Sequence, residues 1–260
     1  MESKAENIKE GKYIYCIIRH TGTIEFDSAG IGTRGDRVYA INYKDICAVV
    51  SNSPVIKYEA RRVNMMAHQE VVEDVMKQFS VLPVRFSTIS ESNDESKIVK
   101  ILEREYVKFS DLLERMNGKK ELGLKTLALE EPIYKYILDK YDDIRMLKEK
   151  LSKLPLDKAH WQLMKIGEMV EKALQKENLL FHDIILNALS PLAEEVKIND
   201  KYGERMIMNA AFLIKNEKEP EFDKAINELD NQYRNLMSFK YVGTLPPYNF
   251  VNLIINTKEN

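Results

Sequence analysis

Apolar and polar positions along the chain switch between two periods, and the switches mark out most of its elements. Residues 13–18, Tyr13-Ile14-Tyr15-Cys16-Ile17-Ile18, are an unbroken run of aromatic and β-branched types, which predicts a buried strand. After a Gly-rich stretch, 37–42 and 46–51 read as two more strands. The gap between them, Tyr43-Lys44-Asp45, is short enough for a hairpin. Met65, His68, Val72, Val75, Met76 and Phe79 then recur at steps of three and four, which places them on one stripe of a helix. Residues 81–87 are expected to be extended, because Pro83 donates no backbone N–H and disfavours a helical Leu82.

Ser92-Asn93-Asp94-Glu95 matches a capping box, in which the Ser and Glu side chains each satisfy an orphan helix amide. The stripe Ile98, Ile101, Leu102, Phe109, Leu112, Leu113 and Met116 follows, and Gly118 stands just beyond as a stop. This predicts one helix whose apolar face, Phe109 included, lies against the strands. Residues 121–129 are a further strand candidate. Charged helical turns follow Pro132, then a helix over about 157–176 and another over 179–189. Residues 192–198 and 205–214 read as strands. Pro220 opens a helix with Phe222, Ile226, Leu229, Tyr233 and Leu236 on one face, and 238–242 form a last strand. The succession in this half, β-α-β-β-α-β, is the ferredoxin-like pattern. The fold class expected is therefore α+β in two domains. Residues 1–118 form an N-terminal α/β-sheet domain, and residues 119–260 a C-terminal ferredoxin-like domain with a C-terminal tail.

Composition narrows what such a protein does. Apolar residues make up 44% and charged residues 31% of 260, enough for a core without disulfides or metals. Lys and Arg number 39 against 41 Asp and Glu, so no global field holds a nucleic-acid backbone or an anionic membrane. Cys16 and Cys47 both lie inside apolar runs, the usage of a reducing compartment. The polar start of the sequence does not read as a signal peptide, and no apolar run approaches the ~18 residues of a membrane span. A cytoplasmic protein is the simplest expectation.

Few residues carry chemistry. Gly30-Ile31-Gly32-Thr33-Arg34-Gly35 matches G-x-G-x-x-G, but a dinucleotide site needs those glycines between a strand and a helix. Here they lead into the strand-like residues 37–42, so a loop is expected instead. His20, His68, His160 and His182 are far apart, without zinc-type spacing. His68 shares the apolar face of its helix, where hydrogen-bonded packing outweighs catalysis. Glu130-Glu131, Asp142-Asp143 and Glu194-Glu195 are adjacent pairs, and adjacent side chains diverge on a helix or a strand, so they make no catalytic dyad. No catalytic residue, cofactor site or metal site is expected. Arg85 either pairs with a carboxylate or meets a partner. Pro246 and Pro247 stiffen a segment carrying Tyr248, Phe250 and Val251, which either packs on its own domain or forms an apolar docking lip.

Three stretches resemble the gas vesicle GvpF/GvpL family, in the expected order along nearly the whole chain. His68 with its helix and Val81-Leu82-Pro83-Val84-Arg85-Phe86-Ser87 is similar to that family's "His … vLPvRFGT". Gly118-Lys119-Lys120-Glu121-Leu122-Gly123-Leu124-Lys125 is similar to its "G-x-x-E-hydrophobic-x-hydrophobic-K" strand. Tyr241-Val242-Gly243-Thr244-Leu245-Pro246-Pro247-Tyr248-Asn249-Phe250-Val251 is similar to its "G-P-x-P-P-Y-S-F". A weaker match is Lys165-Ile166-Gly167-Glu168. Ser87 stands where the family has Gly, and Thr244-Leu245 replace its usual approach to the proline pair.

The resemblance implies two domains, the second ferredoxin-like, association with gas vesicles, contact with the main shell protein, and no catalytic activity. The function expected is that of a gas vesicle assembly factor or minor structural component. It would bind the hydrophobic shell protein, limit its aggregation and meet other gas vesicle accessory proteins, with no nucleic acid and no membrane span. Arg85, Tyr241, Pro246, Pro247, Tyr248 and Phe250 are the expected partner-binding residues. The alternative is a ferredoxin-like small-molecule-sensing regulatory module, because fold does not fix function.

Overall fold

The computed structural model describes residues 9–32, 34–152 and 156–257, with side chains throughout these except at 156–160. Its contacts fall into two compact units: residues 1–120 together with 244–260, and residues 121–243.

In the first unit the uninterrupted apolar run becomes β1 (Glu10–Arg19), buried at every position from Gly11 to Ile18. Such a run has no polar face to offer water, so it sits inside a sheet covered on both sides. β2 (Glu25–Ala29), β3 (Arg37–Tyr43), β4 (Ile46–Pro54) and β5 (Val81–Pro83) complete the order β2-β3-β4-β1-β5, and β6 (Ile89–Ser90) also pairs with β1. β3 and β4 form the expected hairpin with Tyr43 opposite Ile46, and Lys44 takes φ 53° in the turn. α1 (Arg62–Met76) packs Val71, Val72 and Val75 against Tyr13, Tyr15, Cys47 and Val49. Met65, expected on that stripe, is 42% exposed, because the helix starts at Arg62 and its first turn overhangs the core.

The single helix expected over 98–116 is two, α2 (Glu95–Arg104) and α3 (Tyr106–Met116), with Glu105 leaving helical geometry at ψ 9°. Both contact the sheet, and Ile98, Leu102, Phe109 and Leu113 are buried. The N-cap is Asp94 rather than Ser92. Its carboxylate accepts from Ser96 N at 2.9 Å, while Ser92 Oγ accepts from Asp94 N at 3.1 Å. The polar cap is thus displaced by two residues, and an ionised Asp at a helix start is at least as good an acceptor as Ser.

In the second unit, β7 (Lys119–Ala128), β8 (Glu195–Ile198), β9 (Met206–Lys215) and β10 (Met237–Leu245) form a sheet in the order β10-β7-β9-β8. Ala128 N bonds Arg205 O and Leu129 N bonds Leu236 O, each at 2.8 Å. The end of β7 therefore meets the starts of β9 and β10, and both neighbours run antiparallel to it. β8 and β9 also pair antiparallel. α4 (Glu130–Lys140), α5 (Asp142–Leu151) and α6 (Leu156–Leu189) separate β7 from β8, and α7 (Glu219–Tyr233) separates β9 from β10. Phe212, Phe222, Ile226, Phe181 and Ile185 share one core with Leu122 and Leu124 of β7.

The two helices expected over 157–189 are one helix of 34 residues, about 51 Å long at 1.5 Å per residue. The polar step Glu177-Asn178 between them is buried. Glu177, 1% exposed, accepts from Tyr141 Oη at 2.7 Å, Lys140 Nζ at 2.8 Å and Tyr136 Oη at 3.2 Å. Asn178 Nδ2 donates to Glu204 O at 2.8 Å. Charge-assisted bonds to a buried carboxylate let the helix run through.

The segment after β10 departs from expectation most. The sequence pattern places it with the second domain, but by its contacts the chain from Thr244 onward groups with the first unit. The physical reason is an alternation: Val251, Leu253 and Ile255 are buried while Asn252 and Ile254 face outward. This is the pattern of a half-buried strand, and Leu253 forms a parallel bridge to Val84, the residue after β5.

Candidate partner-binding site

The sequence-marked residues of the first unit gather around His68. α1 presents its imidazole inward, 2% exposed, between aromatic rings from separate elements. It stacks on Tyr15 with centroids 5.6 Å apart and meets Phe86 edge-on at 5.8 Å. Nδ1 lies 3.1 Å from Tyr13 Oη, and Nε2 lies 3.0 Å from Tyr248 Oη. Tyr13 Oη also accepts from Ser87 N at 2.8 Å. A neutral imidazole has one donor and one acceptor nitrogen, so both ring nitrogens find a phenol partner. Burial holds the imidazole neutral by driving its pKa down from 6.5 to about 4.

Neighbouring hydroxyls extend the network. Tyr15 Oη accepts from Ile31 N at 2.7 Å and shares a hydrogen with Ser51 Oγ at 2.8 Å; burial pushes its phenol up to about 12. Burial also raises Tyr13 and Tyr248. These are neutral, satisfied groups at neutral pH. The cluster fixes β1, α1, the turn at Ser87 and the segment after β10 to one another, which fits the packing role expected of His68.

Of the six candidate residues, five lie in this unit. Arg85 follows the Val84 bridge and is exposed, with no carboxylate partner among the described residues. Tyr248 is 41% exposed although its hydroxyl is engaged. Pro246 and Pro247 are buried and Phe250 is half-buried, so the proline pair underlies the segment rather than displaying it. Tyr241 stands apart in the second unit, where it donates to Asp223 at 2.6 Å and stacks on Phe222 at 6.0 Å. It braces β10 against α7.

Sequence reasoning missed the exposed apolar steps. Val63 and Met66 on α1 are 69% and 47% exposed; Trp161 and Met164 on α6 are 78% and 50% exposed. Each pair is spaced by three, so its members are neighbours on the helix surface. That spacing away from the buried stripe was the available signal.

The Gly30–Gly35 loop runs from strand β2 to strand β3, with Arg34 bonded to Glu10 at 2.7 Å; Thr33 lies outside the described residues. Two clefts of about 610 and 320 Å³ on the first unit are lined mainly by polar and charged side chains such as Glu10, Glu91, Arg19 and Glu114. Among the described residues no cluster of His, Cys, Asp and Glu gathers at metal-binding distance. The side chain of His160 lies outside them. No helix among them is long and apolar enough to cross a membrane.

Fold and site together define a mixed α/β protein with antiparallel sheets, its first unit carrying a Tyr–His–Tyr connection centred on the buried His68. Residues 11–252 match the model of the family described as gas vesicle synthesis protein GvpL/GvpF, and the chain belongs to that family. Gas vesicle protein F of Dolichospermum flosaquae is 25% identical, over 93% of this chain and 97% of that protein. Gas vesicle protein F1 of Halobacterium salinarum is 26% identical, over 96% and 97%. The crystal structure of the gas vesicle protein GvpF from an Anabaena species superposes with TM-score 0.79 at 25% identity, covering 94% of this chain and 99% of that one. The GvpF structure from Microcystis aeruginosa gives TM-score 0.71 at 23% identity, with the same coverage.

Proposed function

We propose that this chain is a non-catalytic gas vesicle assembly factor or minor structural component that binds the hydrophobic shell protein and limits its aggregation. The observation that carries the reading is the set of exposed apolar steps, Val63–Met66 and Trp161–Met164, on helices whose opposite faces already fill the cores. Exposed Met and Trp suit adaptable contact with an apolar partner. In this reading the protein works in the cytoplasm, at the vesicle, and alongside other gas vesicle proteins. Its two units act as separate domains, and the order β10-β7-β9-β8 with the succession β-α-β-β-α-β supports a ferredoxin-like second domain.

The test is capture of co-expressed shell protein by the tagged full chain, with Val63→Asp/Met66→Asp and Trp161→Asp/Met164→Asp as variants. Loss of capture in one folded variant supports the reading and assigns the contact to that domain. Absence of capture by the unaltered chain under every condition overturns it.

A further inference from the structure

The start of α6 carries more apolar surface than its own unit covers. Further along the helix, Ala173, Leu174, Phe181 and Ile185 face the core and are buried. Leu163 and Gly167 stand about five turns before Phe181 and Ile185, on the same side of the helix. Yet Leu163 is 47% exposed, and Gly167 is exposed as well. We propose that the stretch from Trp161 to Gly167 is the docking site for an amphipathic helix of a partner protein. That helix lies along the side marked by Leu163 and Gly167, where it continues the interface that the rest of α6 makes with its own core. The inference rests on the reading of Trp161–Met164 as a partner contact, and adds the form of what covers it.

The distribution of apolar side chains calls for such a cover. At about 100° per residue, Ile166, Leu163 and Met164 lie about 140°, 200° and 300° round the axis from Trp161. A surface helix keeps its apolar residues in one stripe, and a helix apolar all round is a buried one. Here Trp161 and Met164 stand in solvent together with Leu163. A membrane surface covers only one side of a helix lying on it, so it would leave part of this set in water.

Gly167 marks where the partner comes closest. A mid-helix glycine weakens a helix relative to alanine. A Cβ built there meets no atom within 4 Å, so nothing inside the chain excludes a side chain at this position. Its absence leaves room for a second backbone to approach.

The occupant is a helix rather than a strand because of what α6 offers. The backbone groups of a helix interior are bonded within it, so an incoming strand finds no ladder partners there. A helix brings a satisfied backbone and needs only side-chain contact.

Trp161 is the only tryptophan of the chain, so its fluorescence reports this site directly. The full chain is titrated with a tryptophan-free synthetic helix of about five turns, with leucine and alanine on one face and glutamine, glutamate and lysine on the other. The expected result is a saturable blue shift of the Trp161 emission, absent with a scrambled peptide of the same composition. Gly167→Leu, for which the open side leaves room, and Leu163→Asp should each weaken binding at least about tenfold. Gly167→Leu alone decides if Leu163→Asp does not fold. No shift with the peptide overturns the proposal, as does undiminished affinity in folded Gly167→Leu. A shift produced by vesicles of phosphatidylcholine and phosphatidylserine but not by the peptide also overturns it, in favour of a membrane. Shell protein is absent from this assay. A chain that captures shell protein but ignores the peptide therefore loses this inference and keeps the proposed function.

Discussion

Tyr248 Oη lies 3.0 Å from Nε2 of His68, a hydrogen bond spanning 180 positions of sequence. It fastens the segment after β10 to the first helix of the fold. It also places a titratable group, shielded from water, at the joint.

That group makes stability depend on pH in a defined window. The imidazole titrates near 6.5 when unfolded and at about 4 when folded. Between those values the unfolded chain binds the proton and the folded chain does not, so stability falls as pH is lowered from 6.5 to 4 and is unaffected by this group above 6.5. At about 1.4 kcal/mol per pH unit the loss approaches roughly 3 kcal/mol. Urea titrations at pH 7, 5.5 and 4.5 should show it. His68→Phe should be less stable at pH 7, having lost both hydrogen bonds, yet lose less further stability down to pH 4.5. An equal pH slope in the variant would show that another group sets the dependence.

Glu177 acts lower on the pH scale and in the other unit. Burial alone would raise its pKa, but the bonds from Lys140, Tyr141 and Tyr136 outweigh it and hold the carboxyl below its usual 4.5. A depressed carboxylate contributes stability above its unfolded pKa and loses it as pH falls through the folded one, so this contribution is full above about pH 4.5 and is progressively lost below it. Glu177→Ala should cost about 1.5–3 kcal/mol at pH 7, the range for hydrogen bonds to a charged group. The loss is kept from being larger because the Lys140 side chain is 43% exposed and can return to water. Denaturant melts of the variant check this, and a loss no larger than that of a surface substitution would sink the clamp.

The same residue shows where the sequence was legible and where it was not. β1, β3, β4, β9 and α7 were readable because their apolar periods are set by faces each element buries locally. β2 was not, since Glu25-Phe26-Asp27-Ser28-Ala29 has a single large apolar residue. Glu177-Asn178 reads as a helix break because the partners of Glu177, Tyr136, Lys140 and Tyr141, lie about forty residues away, and side-chain pairing at that distance leaves no periodic trace. The alternation of Val251, Leu253 and Ile255 is plain in the sequence, but the seat it occupies is not. A parallel bridge to Val84 has no turn signature to announce it. Arg85 and Tyr248 were legible as candidates through motif resemblance, whereas the exposed step at Val63 and Met66 required knowing which stripe of α1 the core takes.

Ser87 gives a substitution whose sign is decided by magnitudes. Its φ of 63° is left-handed, a conformation costing a non-glycine residue on the order of 1 kcal/mol. In return its Oγ accepts from Tyr58 N at 3.1 Å, a bond contributing about 1 kcal/mol. Ser87→Gly removes both and should be close to neutral. Ser87→Ala keeps the strain and loses the bond, so it should fall below Ser87→Gly by about 1 kcal/mol. Thermal melts of the pair would contradict the balance if Ala proved the more stable.

The last prediction separates apolar from ionic recognition of the shell protein. The chain's formal charge is −2, too small to steer a partner from a distance. The exposed steps at Val63–Met66 and Trp161–Met164 are apolar, and burying them does not depend on charge screening. Raising salt shortens the screening length from ~10 Å at 0.1 M to ~3 Å at 1 M, so a contact made by surface ion pairs weakens over that range while an apolar one holds. Capture of shell protein should therefore persist at 1 M salt. Arg85, exposed and without a carboxylate partner among the described residues, provides the internal control: Arg85→Ala should leave capture nearly unchanged if apolar contact dominates. Capture abolished by moderate salt, or by Arg85→Ala alone in a folded chain, would replace the apolar mechanism with an electrostatic one.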